Sequence, residues 1–390
     1  MAGRDDIVLV TPVVPGDSGY GLRMRAGLLR AALGRLGPLR VIVVPVHGRE
    51  PDDEGVTVVE LDRHADPSAD FAARLASARW RDRAAALHPR PALCRAATVA
   101  ATESVARQIG DASLVVMQRL YLAPFLDLVL DAQARPGCVI DVDDVESATH
   151  RQLDEAVEAE RYDRLERHYL PSFDRVIACA QADADDMRAR CGADAIVVPN
   201  AVTPAAIATG PKRWDLVFVG NLSYGPNVDA VTWLCREVMP LLPDARVVLV
   251  GRDPDAAVTA LAEPGRVDVT GTVDDVTPYY AASKVAVVPL RTGGGTSVKL
   301  IEAMAAGLPV VTTTVGARGI DVRAGEHVLV ADAAVGFAAA AGRLLDDDEA
   351  AQRMGGAGRA LVEQRYVLER VAADLAEHLT PFVAGARRVR

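Results

Sequence analysis

The sequence predicts an α/β protein with two doubly wound, Rossmann-like domains that face each other across a cleft. Short apolar, β-branched runs alternate with helical patterns, and this alternation occurs in two separate series. A chain of 390 residues is also long enough for two domains. In folds of this class, ligands bind at the carboxyl ends of the parallel strands.

The first series begins near residue 7 and the second near residue 216. In the first, strands are predicted at Ile7–Val10, Arg40–Val46, Val56–Leu61, Leu114–Met117, Val139–Val142 and Val176–Ala178, with helices over 22–36, 67–87 and 151–170. In the second, strands are predicted at Leu216–Val219, Val247–Val250, Val267–Val269, Val285–Leu290 and after Pro309, with a last helix over 366–380. Runs so rich in valine are typical of strands buried on both faces of a parallel sheet.

Composition excludes several classes of protein. The net charge of −10 argues against a nucleic-acid partner, which would favour a basic surface. The five cysteines are scattered, without a CxxC pair, which favours a reducing compartment and gives no sign of a metal site. The N-terminus lacks the apolar core of a signal peptide, and no apolar run is long enough to span a bilayer. We therefore expect a cytoplasmic protein without a transmembrane segment.

A glycine-rich turn follows the strand predicted at 285–290. Gly293, Gly294 and Gly295 allow a tight turn and a close approach by a ligand. Thr296 and Ser297 stand where the N-cap of the next helix is expected. The unpaired N–H groups at such a helix start form an anion site suited to phosphate. We therefore predict that the turn, with Thr296 and Ser297, binds a phosphate group.

Lys299 and Glu302 extend this prediction to a whole nucleotide. Lys299 lies in the first turn of the helix and can add a full positive charge beside a diphosphate. Glu302 lies three residues further along, on the same side of the helix. A carboxylate near a phosphate-binding turn is well placed for the hydroxyls of a ribose. From the glycines alone, an ordinary βαβ unit with a surface Lys–Glu pair is the favoured interpretation, because glycine-rich turns are common.

The whole string, GGGTSVKLIEAMAAGLPVVTT followed by GARGI, closely resembles the donor-site signature of the GT-B retaining glycosyltransferases of group one, or family four. It matches a GGGT-x-x-K-x-x-EA variant of that signature. In the family, the second glutamate of a Glu–seven residues–Glu motif binds the ribose, and Glu302 matches it. The first glutamate, which usually contacts the donor sugar, corresponds to Gly294 here.

A second glycine-containing loop follows the first strand. It runs from Pro12 through Gly19 and Gly21 into a predicted helix, and it resembles the family loop that faces the cleft. Arg23 and Arg25 lie beside it, where guanidinium groups could hold phosphates or an acceptor. For Arg23, a solvated position on the helix is an equally good interpretation. We therefore include Gly19, Gly21 and Arg23 among the candidate donor-binding residues.

Polar residues also follow two other strands of the first series. Arg119 follows the strand at 114–117, and Asp143 and Asp144 follow the strand at 139–142. Strand ends face the ligand crevice, so Arg119 and Asp143 join Lys299 as candidate catalytic residues. Asp141 and Asp143 form a D-x-D pair, but two carboxylates alone are a weak metal signal. We expect no metal and no cofactor, the nucleotide sugar being a substrate.

Two loops of the second series complete the candidate donor site. Gly220 and Asn221 follow the strand at 216–219, where family members often carry an arginine and a lysine for the diphosphate. Since this loop holds no basic residue, Lys299 has to supply more of the charge. Thr272 and Val273 lie in the GTVDDV segment, whose backbone lines the base pocket in the relatives.

The resemblance covers nearly the whole chain and sets the expected domain bounds. Residues 1–203 are the acceptor-side domain, 204–213 the linker, 214–365 the nucleotide-sugar domain, and 366–390 a helix that crosses back. The function implied is transfer of a sugar from a nucleotide-diphosphate sugar to an acceptor, with retention of the anomeric configuration. The acceptor class is open: a small molecule, a glycan or a lipid-linked compound, the last with peripheral membrane contact through a basic helix at 22–36.

A different class of function is compatible with the same fold. A nucleotide-sugar epimerase, or a non-catalytic nucleotide-sugar-binding protein, would also carry the donor site. An epimerase needs paired acid and base residues on either side of the sugar. Arg119, Asp143 and Asp144 do not obviously form such a pair.

Overall fold

The computed structural model describes residues 6–51, 53–62, 64–204 and 210–383, together with the backbone of 388–389. The chain divides into two compact units. Unit 1 comprises the residues through Ser18, then Leu22–Pro199, and the chain from Val371 onward; unit 2 comprises Gly19–Gly21 and Asn200–Arg370. Of the linker predicted at 204–213, residues 205–209 lie outside the described residues.

Unit 1 contains a seven-stranded parallel sheet. Its strands, with one short additional strand, β5, are β1 (Ile7–Thr11), β2 (Leu39–Val43), β3 (Val56–Val58), β4 (Leu114–Gln118), β5 (Ala134–Arg135), β6 (Gly137–Asp143), β7 (Arg175–Ala178) and β8 (Ala195–Val197). The order in the sheet is β3-β2-β1-β4-β6-β7-β8. All five residues of β1 are buried, as expected for an apolar central strand covered by helices on both faces.

The helices of unit 1 alternate with these strands. They are α1 (Gly21–Leu33), α2 (Pro67–Ala76), α3 (Arg81–Leu87), α4 (Val99–Ile109), α5 (Asp127–Leu130), α6 (Glu146–Gln152), α7 (Ala156–Tyr169) and α8 (Gln181–Cys191), with 3₁₀ turns at Ala92–Ala96, Leu120–Leu126 and Leu170–Ser172. The prediction of one helix over 151–170 is wrong. The chain breaks between α6 and α7 because Asp154 adopts a left-handed backbone conformation, with φ of 58°.

Unit 2 contains a six-stranded parallel sheet. Its strands are β9 (Trp214–Val219), β10 (Val247–Val250), β11 (Val267–Val269), β12 (Ser283–Val288), β13 (Val310–Thr312) and β14 (Leu329–Val330), in the order β11-β10-β9-β12-β13-β14. Its helices are α9 (Gly225–Trp233), α10 (Ala256–Thr259), α11 (Thr277–Ala281), α12 (Val298–Ala305), α13 (Ala334–Asp346) and α14 (Asp348–Arg365), with a π turn at Leu234–Val238 and a 3₁₀ turn at Met239–Leu241.

The last helix, α15 (Leu368–Val383), begins in unit 2 and continues in unit 1 from Val371. In unit 1, its Phe382 packs on Gly137 at the start of β6, where a Cβ would lie 2.9 Å from the Phe382 carbonyl oxygen. The strand β15 (Arg388–Val389) pairs antiparallel with β5. Among the described residues, no helix combines the length and apolar character needed to cross a membrane.

The prediction of two doubly wound α/β domains is confirmed, since each unit contains a parallel sheet whose strand order reverses. In unit 2, the chain proceeds from β9 outward through β10 and β11, then returns to β12 beside β9 and proceeds the other way. Unit 1 reverses in the same manner between β1 and β4. Such reversals are topological switch points, and ligands of open α/β sheets bind at the carboxyl ends of the strands there.

Candidate active site

The glycine-rich turn lies at the switch point of unit 2. It follows β12, which pairs with β9 in the register Ala286 to Val217. Gly293 and Gly295 have φ angles of 128° and 63°, which L side chains rarely adopt. The turn therefore requires glycine at these two positions, as the sequence predicted for a tight, ligand-approaching turn.

Thr296 and Ser297 behave differently at the start of α12. Ser297 occupies the N-cap position, but its side chain makes no capping hydrogen bond, and its Oγ is buried without a partner among the described residues. The Oγ1 of Thr296 instead accepts a hydrogen bond of 2.7 Å from Nδ2 of Asn200. The helix start thus retains unpaired N–H groups and a free buried hydroxyl, which suits an anionic ligand.

Lys299 is held from two other elements. Its Nζ donates a hydrogen bond of 2.9 Å to Oδ1 of Asn227 at the start of α9. The same atom lies 5.3 Å from the ring centroid of Phe218 on β9, within cation–π range. Partial burial lowers the pKa of Lys299 to about 8, an effect that the nearby charge of Glu302 opposes. The ammonium is therefore a partly desolvated charge with a fixed direction.

Glu302 shares this environment one helical turn away. Burial raises the pKa of its carboxyl to about 7, while the charge of Lys299 acts in the opposite direction. Tyr280 on α11 lies beside it: this side chain is 5% exposed, and burial followed by the Glu302 charge raises its pKa well above the ordinary value. The Tyr280 hydroxyl lies close enough to this carboxylate to lower its pKa, which also opposes the effect of burial. Only tertiary packing brings Tyr280 to this carboxylate, and the sequence did not indicate it.

The residues that follow β9 fix the position of the side chain that binds Lys299. Asn227 is 4% exposed and donates from Nδ2 a hydrogen bond of 2.8 Å to the backbone oxygen of Asn221. The side-chain oxygen of Asn221 is itself occupied, since it accepts from the backbone N and the hydroxyl of Ser223 at 3.0 and 2.8 Å. Gly220 packs so closely that a Cβ there would lie 2.9 Å from Nδ2 of Asn227 and 3.2 Å from Cε of Lys299. Sequence reasoning selected Gly220 and Asn221 but missed Asn227.

The N-terminal glycine loop reaches this part of the chain. Gly19–Gly21 group with unit 2, and a Cβ on Gly21 would lie 3.5 Å from Cγ2 of Val298 on α12. Between the two glycines, the ring of Tyr20 lies 4.0 Å from the guanidinium of Arg252. Gly19 has φ of 109°, so its backbone favours glycine. The structure thus places the candidate Gly21 beside the first turn of α12, with Gly19 in the same short segment.

The remaining donor-site candidates are more dispersed. Thr272 and Val273 lie in the loop between β11 and α11, after Gly271 with φ of 71°; Thr272 is exposed and Val273 half-buried. Arg23 belongs to unit 1, where its Nε is buried without a partner among the described residues and its side chain lies against Gly16. Arg23 is therefore not the freely solvated helix residue of the alternative interpretation.

Unit 1 gathers a charged cluster at the ends of β4 and β6. Arg119 lies 3.3 Å from a carboxylate oxygen of Asp143, 2.8 Å from Asp144 and 3.3 Å from Glu146. Arg119 and Asp143 both have left-handed backbones, with φ of 74° and 60°. Burial raises the pKa of Glu146 to about 7, although the Arg119 charge opposes this. Strained residues at strand ends are characteristic of functional sites, so both catalytic candidates keep that role as a prediction.

The D-x-D pair is divided between two partners. Asp141 forms a fully buried ion pair with Arg25, at 2.7 Å, and Arg25 also donates 2.8 Å to the backbone oxygen of Pro199. Asp143 accepts a hydrogen bond of 3.2 Å from Sγ of Cys179. Arg25 is thus neither a phosphate clamp nor a solvated residue. In the described part of the chain, no group of three or more His, Cys, Asp or Glu residues could hold a metal ion.

Comparison with known sequences supports the glycosyltransferase resemblance in unit 2. Residues 213–347 match the family model described as Glycosyl transferases group 1. A Klebsiella pneumoniae protein, described as an uncharacterized 44.6 kDa protein in the cps region, is 24% identical over 136 residues, which cover 32% of this chain. The matched segment spans 35% of that curated relative's length. The group 1 domain predicted from the glycine-rich signature is confirmed, whereas the motif variant and retention stay predictions.

Comparison with solved structures supports the fold of the whole chain. A sucrose-phosphate synthase from Thermosynechococcus elongatus aligns with a TM-score of 0.74 at 18% identity, over 98% of this chain and 100% of that one. Anabaena HepE, solved in complex with UDP and glucose, aligns with a TM-score of 0.65 at 15% identity, over 96% and 99% of the two chains. At such identities the likeness establishes the GT-B type of fold, and the activity has to be argued from the site.

Proposed function

We propose that this protein is a retaining glycosyltransferase, which moves a sugar from a nucleoside-diphosphate sugar to an acceptor. The observation that carries the proposal is the arrangement at the switch point of unit 2. There a turn that requires glycine at 293 and 295, a fixed ammonium at Lys299 and a carboxylate at Glu302 lie along the first turns of one helix. Each part suits one part of a nucleoside diphosphate.

The diphosphate is the group whose charge changes in the reaction. As the bond between the anomeric carbon and the β-phosphate breaks, negative charge grows on the leaving diphosphate. The N–H groups at the start of α12, the unpartnered hydroxyl of Ser297 and the ammonium of Lys299 can stabilise that charge. Because these groups are fixed before the reaction, little reorganisation is needed. We propose that the reaction needs no metal ion.

The ribose is assigned to Glu302. A carboxylate can accept two hydrogen bonds from vicinal hydroxyls, and Glu302 lies one turn beyond the phosphate-binding start of α12. Burial raises the pKa of its carboxyl to about 7, because a buried carboxylate is poorly hydrated. Hydrogen bonds from the ribose hydroxyls would supply the contacts that water does not make. The segment with Thr272 and Val273 is proposed to line the base.

In unit 1, Arg119 and Asp143 are proposed to act on the reacting sugar or the acceptor. Their backbones are held in left-handed conformations, which fixes two oppositely charged side chains at adjoining strand ends. No side chain is assigned as a covalent nucleophile. A small molecule, a glycan and a lipid-linked compound are the acceptor classes to screen. All five cysteines are free thiols, in line with the proposed cytoplasmic location.

The test separates a transferase from the alternative functions. The protein is incubated with single nucleoside-diphosphate sugars, beginning with UDP-glucose because HepE was solved with UDP and glucose. A transferase releases nucleoside diphosphate and free sugar slowly, and faster with an acceptor. An epimerase yields an isomerised donor, and a binding protein yields neither product. Lys299→Ala should slow the release by a factor on the order of 10²–10³. Lys284→Ala, which alters an exposed lysine paired with Asp215, is the matched control.

A further inference from the structure

Asn227 is notable because it forms hydrogen bonds to two candidate residues, Lys299 and Asn221, although it lies far from the glycine-rich signature along the chain. Its side chain is 4% exposed, and both ends of the amide are used. Oδ1 accepts 2.9 Å from Nζ of Lys299, and Nδ2 donates 2.8 Å to the backbone oxygen of Asn221. The amide therefore has a single orientation, since exchanging its two ends would place a donor against the ammonium.

The backbone around Asn227 is built to hold this orientation. Its N–H donates 2.8 Å to the oxygen of Tyr224, which fixes the residue in the first turn of α9. Gly220 leaves room for the amide, since a Cβ there would lie 2.9 Å from Nδ2. The ring centroid of Phe218 lies 5.3 Å from the same ammonium. Lys299 thus contacts both a hydrogen-bond acceptor and an aromatic face.

We propose that Asn227 is a positioning residue that directs the ammonium of Lys299 at the diphosphate of the donor. The proposal rests on the proposed function for its ligand but on the free protein for its geometry. The loop of Gly220 and Asn221 contains no basic side chain, so the placement of one ammonium matters more. A neutral acceptor fixes that ammonium without neutralising it, which leaves its full charge for the ligand.

The chain allows the position of Lys299 to be measured without any ligand. It contains three lysines, Lys212, Lys284 and Lys299. The full-length protein is acetylated with a trace amount of an amine-reactive reagent over a range of pH. Mass spectrometry then gives the reactivity of each lysine as a function of pH. Burial lowers the pKa of Lys299 to about 8, and Glu302 supplies the charge that opposes this effect. The Lys299 curve therefore reports on the surroundings of its ammonium.

Two substitutions move this curve in opposite directions. Asn227→Leu removes the acceptor and should lower the titration midpoint of Lys299, whereas Asn227→Asp adds a negative charge and should raise it, each by about one pH unit. Asp215→Asn is the matched control, because it removes the 2.9 Å partner of Lys284 and should leave the Lys299 curve unchanged. Asn227→Asp keeps the size of the side chain, so it serves where Asn227→Leu does not fold.

Binding and turnover then distinguish this proposal from the proposed function. With UDP as probe in calorimetry and UDP-glucose in the hydrolysis assay, Asn227→Leu should lower kcat on the order of tenfold or more with a smaller change in KM, as loss of transition-state positioning requires. Unshifted Lys299 midpoints in folded Asn227 variants would overturn the positioning role even if UDP binds. Shifted midpoints together with no binding of any nucleoside diphosphate would support the positioning of Lys299 and reject the ligand.

Discussion

Gly220 and Asn227 lie so close that a Cβ added to Gly220 would stand 2.9 Å from Nδ2 of Asn227. The same Cβ would lie 3.2 Å from both Cε of Lys299 and Cε1 of Phe218. Three side chains from three different elements therefore occupy the space that a methyl group would need. The absence of a side chain at position 220 is part of how the ammonium is held.

Gly220→Ala should weaken nucleoside-diphosphate binding because it displaces Asn227 and Lys299. Insertion of a methyl group into a packed region costs about 1–3 kcal/mol of stability. Gly225→Ala is the matched control, since a Cβ at Gly225 meets nothing within 4 Å. Thermal unfolding and calorimetric titration with UDP measure both effects. Equal affinity of the two variants would show that the packing around Gly220 does not control the ligand.

Glu302→Gln should raise the dissociation constant of a nucleoside diphosphate. Loss of a charged hydrogen bond to the ribose costs roughly 1–3 kcal/mol, and the change keeps the size of the side chain. Glu363→Gln, at an exposed position paired with Arg359, is the control. A further titration with inorganic pyrophosphate, which has no ribose, should give the same affinity for Glu302→Gln and the unmodified protein. A folded Glu302→Gln protein with unchanged nucleotide affinity would remove Glu302 from the site.

Lys299→Ala should lower kcat more than it raises KM. The ammonium acts most strongly on the charge that develops on the leaving diphosphate, and removal of one such stabilising group costs on the order of 10²–10³ in rate. Lys299→Arg should recover only part of the activity, because the planar guanidinium needs a different approach. Steady-state kinetics on both variants test this. Wild-type kcat for Lys299→Ala would direct attention to Arg23 as the source of charge.

Nucleoside-diphosphate affinity should be greatest between pH values of about 7 and 8. The pKa of Glu302 is raised to about 7 by burial, so the carboxylate is lost as pH falls below this value. The pKa of Lys299 is lowered to about 8 by burial, so the ammonium is lost as pH rises above that value. Calorimetric titrations with UDP across this pH range measure the loss of affinity on the acidic side and on the alkaline side, the two limbs of the profile.

Two variants assign these limbs to their residues. Lys299→Arg should abolish the loss of affinity above pH 8, because a guanidinium keeps its charge there. Glu302→Gln should abolish the contribution of the protein to the acidic limb and leave only that of the phosphate of UDP. An alkaline limb that persists in Lys299→Arg would assign it to another group.

Activity should survive EDTA, since the leaving diphosphate is met by Lys299 and backbone N–H groups. Loss of activity that Mg²⁺ or Mn²⁺ restores would favour a metal-bridged donor instead.

The Asp141 carboxylate is expected to stabilise the fold. Its partner Arg25 is fully buried, and Asp141→Asn leaves that guanidinium without its counter-ion. Breaking a buried ion pair costs about 3–5 kcal/mol. The unfolding temperature of Asp141→Asn should therefore be much lower than that of the unmodified protein, with or without metal.

The sequence by itself determined the fold class and the core of the donor site. Valine-rich runs are typical of parallel strands covered on both faces, and their two series predicted two α/β units. The turn at Gly293–Gly295 and the pair Lys299 and Glu302 follow one another along one strand–turn–helix segment, so local rules place them. Candidates such as Gly220 were found because they follow a predicted strand.

Only the tertiary structure decided which residues surround that segment. Asn227 and Tyr280 reach Lys299 and Glu302 from α9 and α11, at sequence separations that no local pattern encodes. The parallel sheet brings the ends of β9 and β12 together although 63 residues lie between the two strands.

 The segment between the two strands, residues 220–282, contains both α9 and α11. Long-range packing of this kind depends on the register of the sheet and on the volumes of many side chains together.

The charged residues of unit 1 show the same division. Arg25 and Asp141 each had a plausible role at a ligand, one as a clamp and the other in a D-x-D pair. Their positions along the chain, 116 residues apart, gave no sign that they form one buried ion pair. A charge that is removed from water needs a partner, and only the folded chain shows which one it has. The sequence thus determined which residues carry the chemistry of a donor site, and the tertiary structure decided which of the remaining charges are free to meet a ligand.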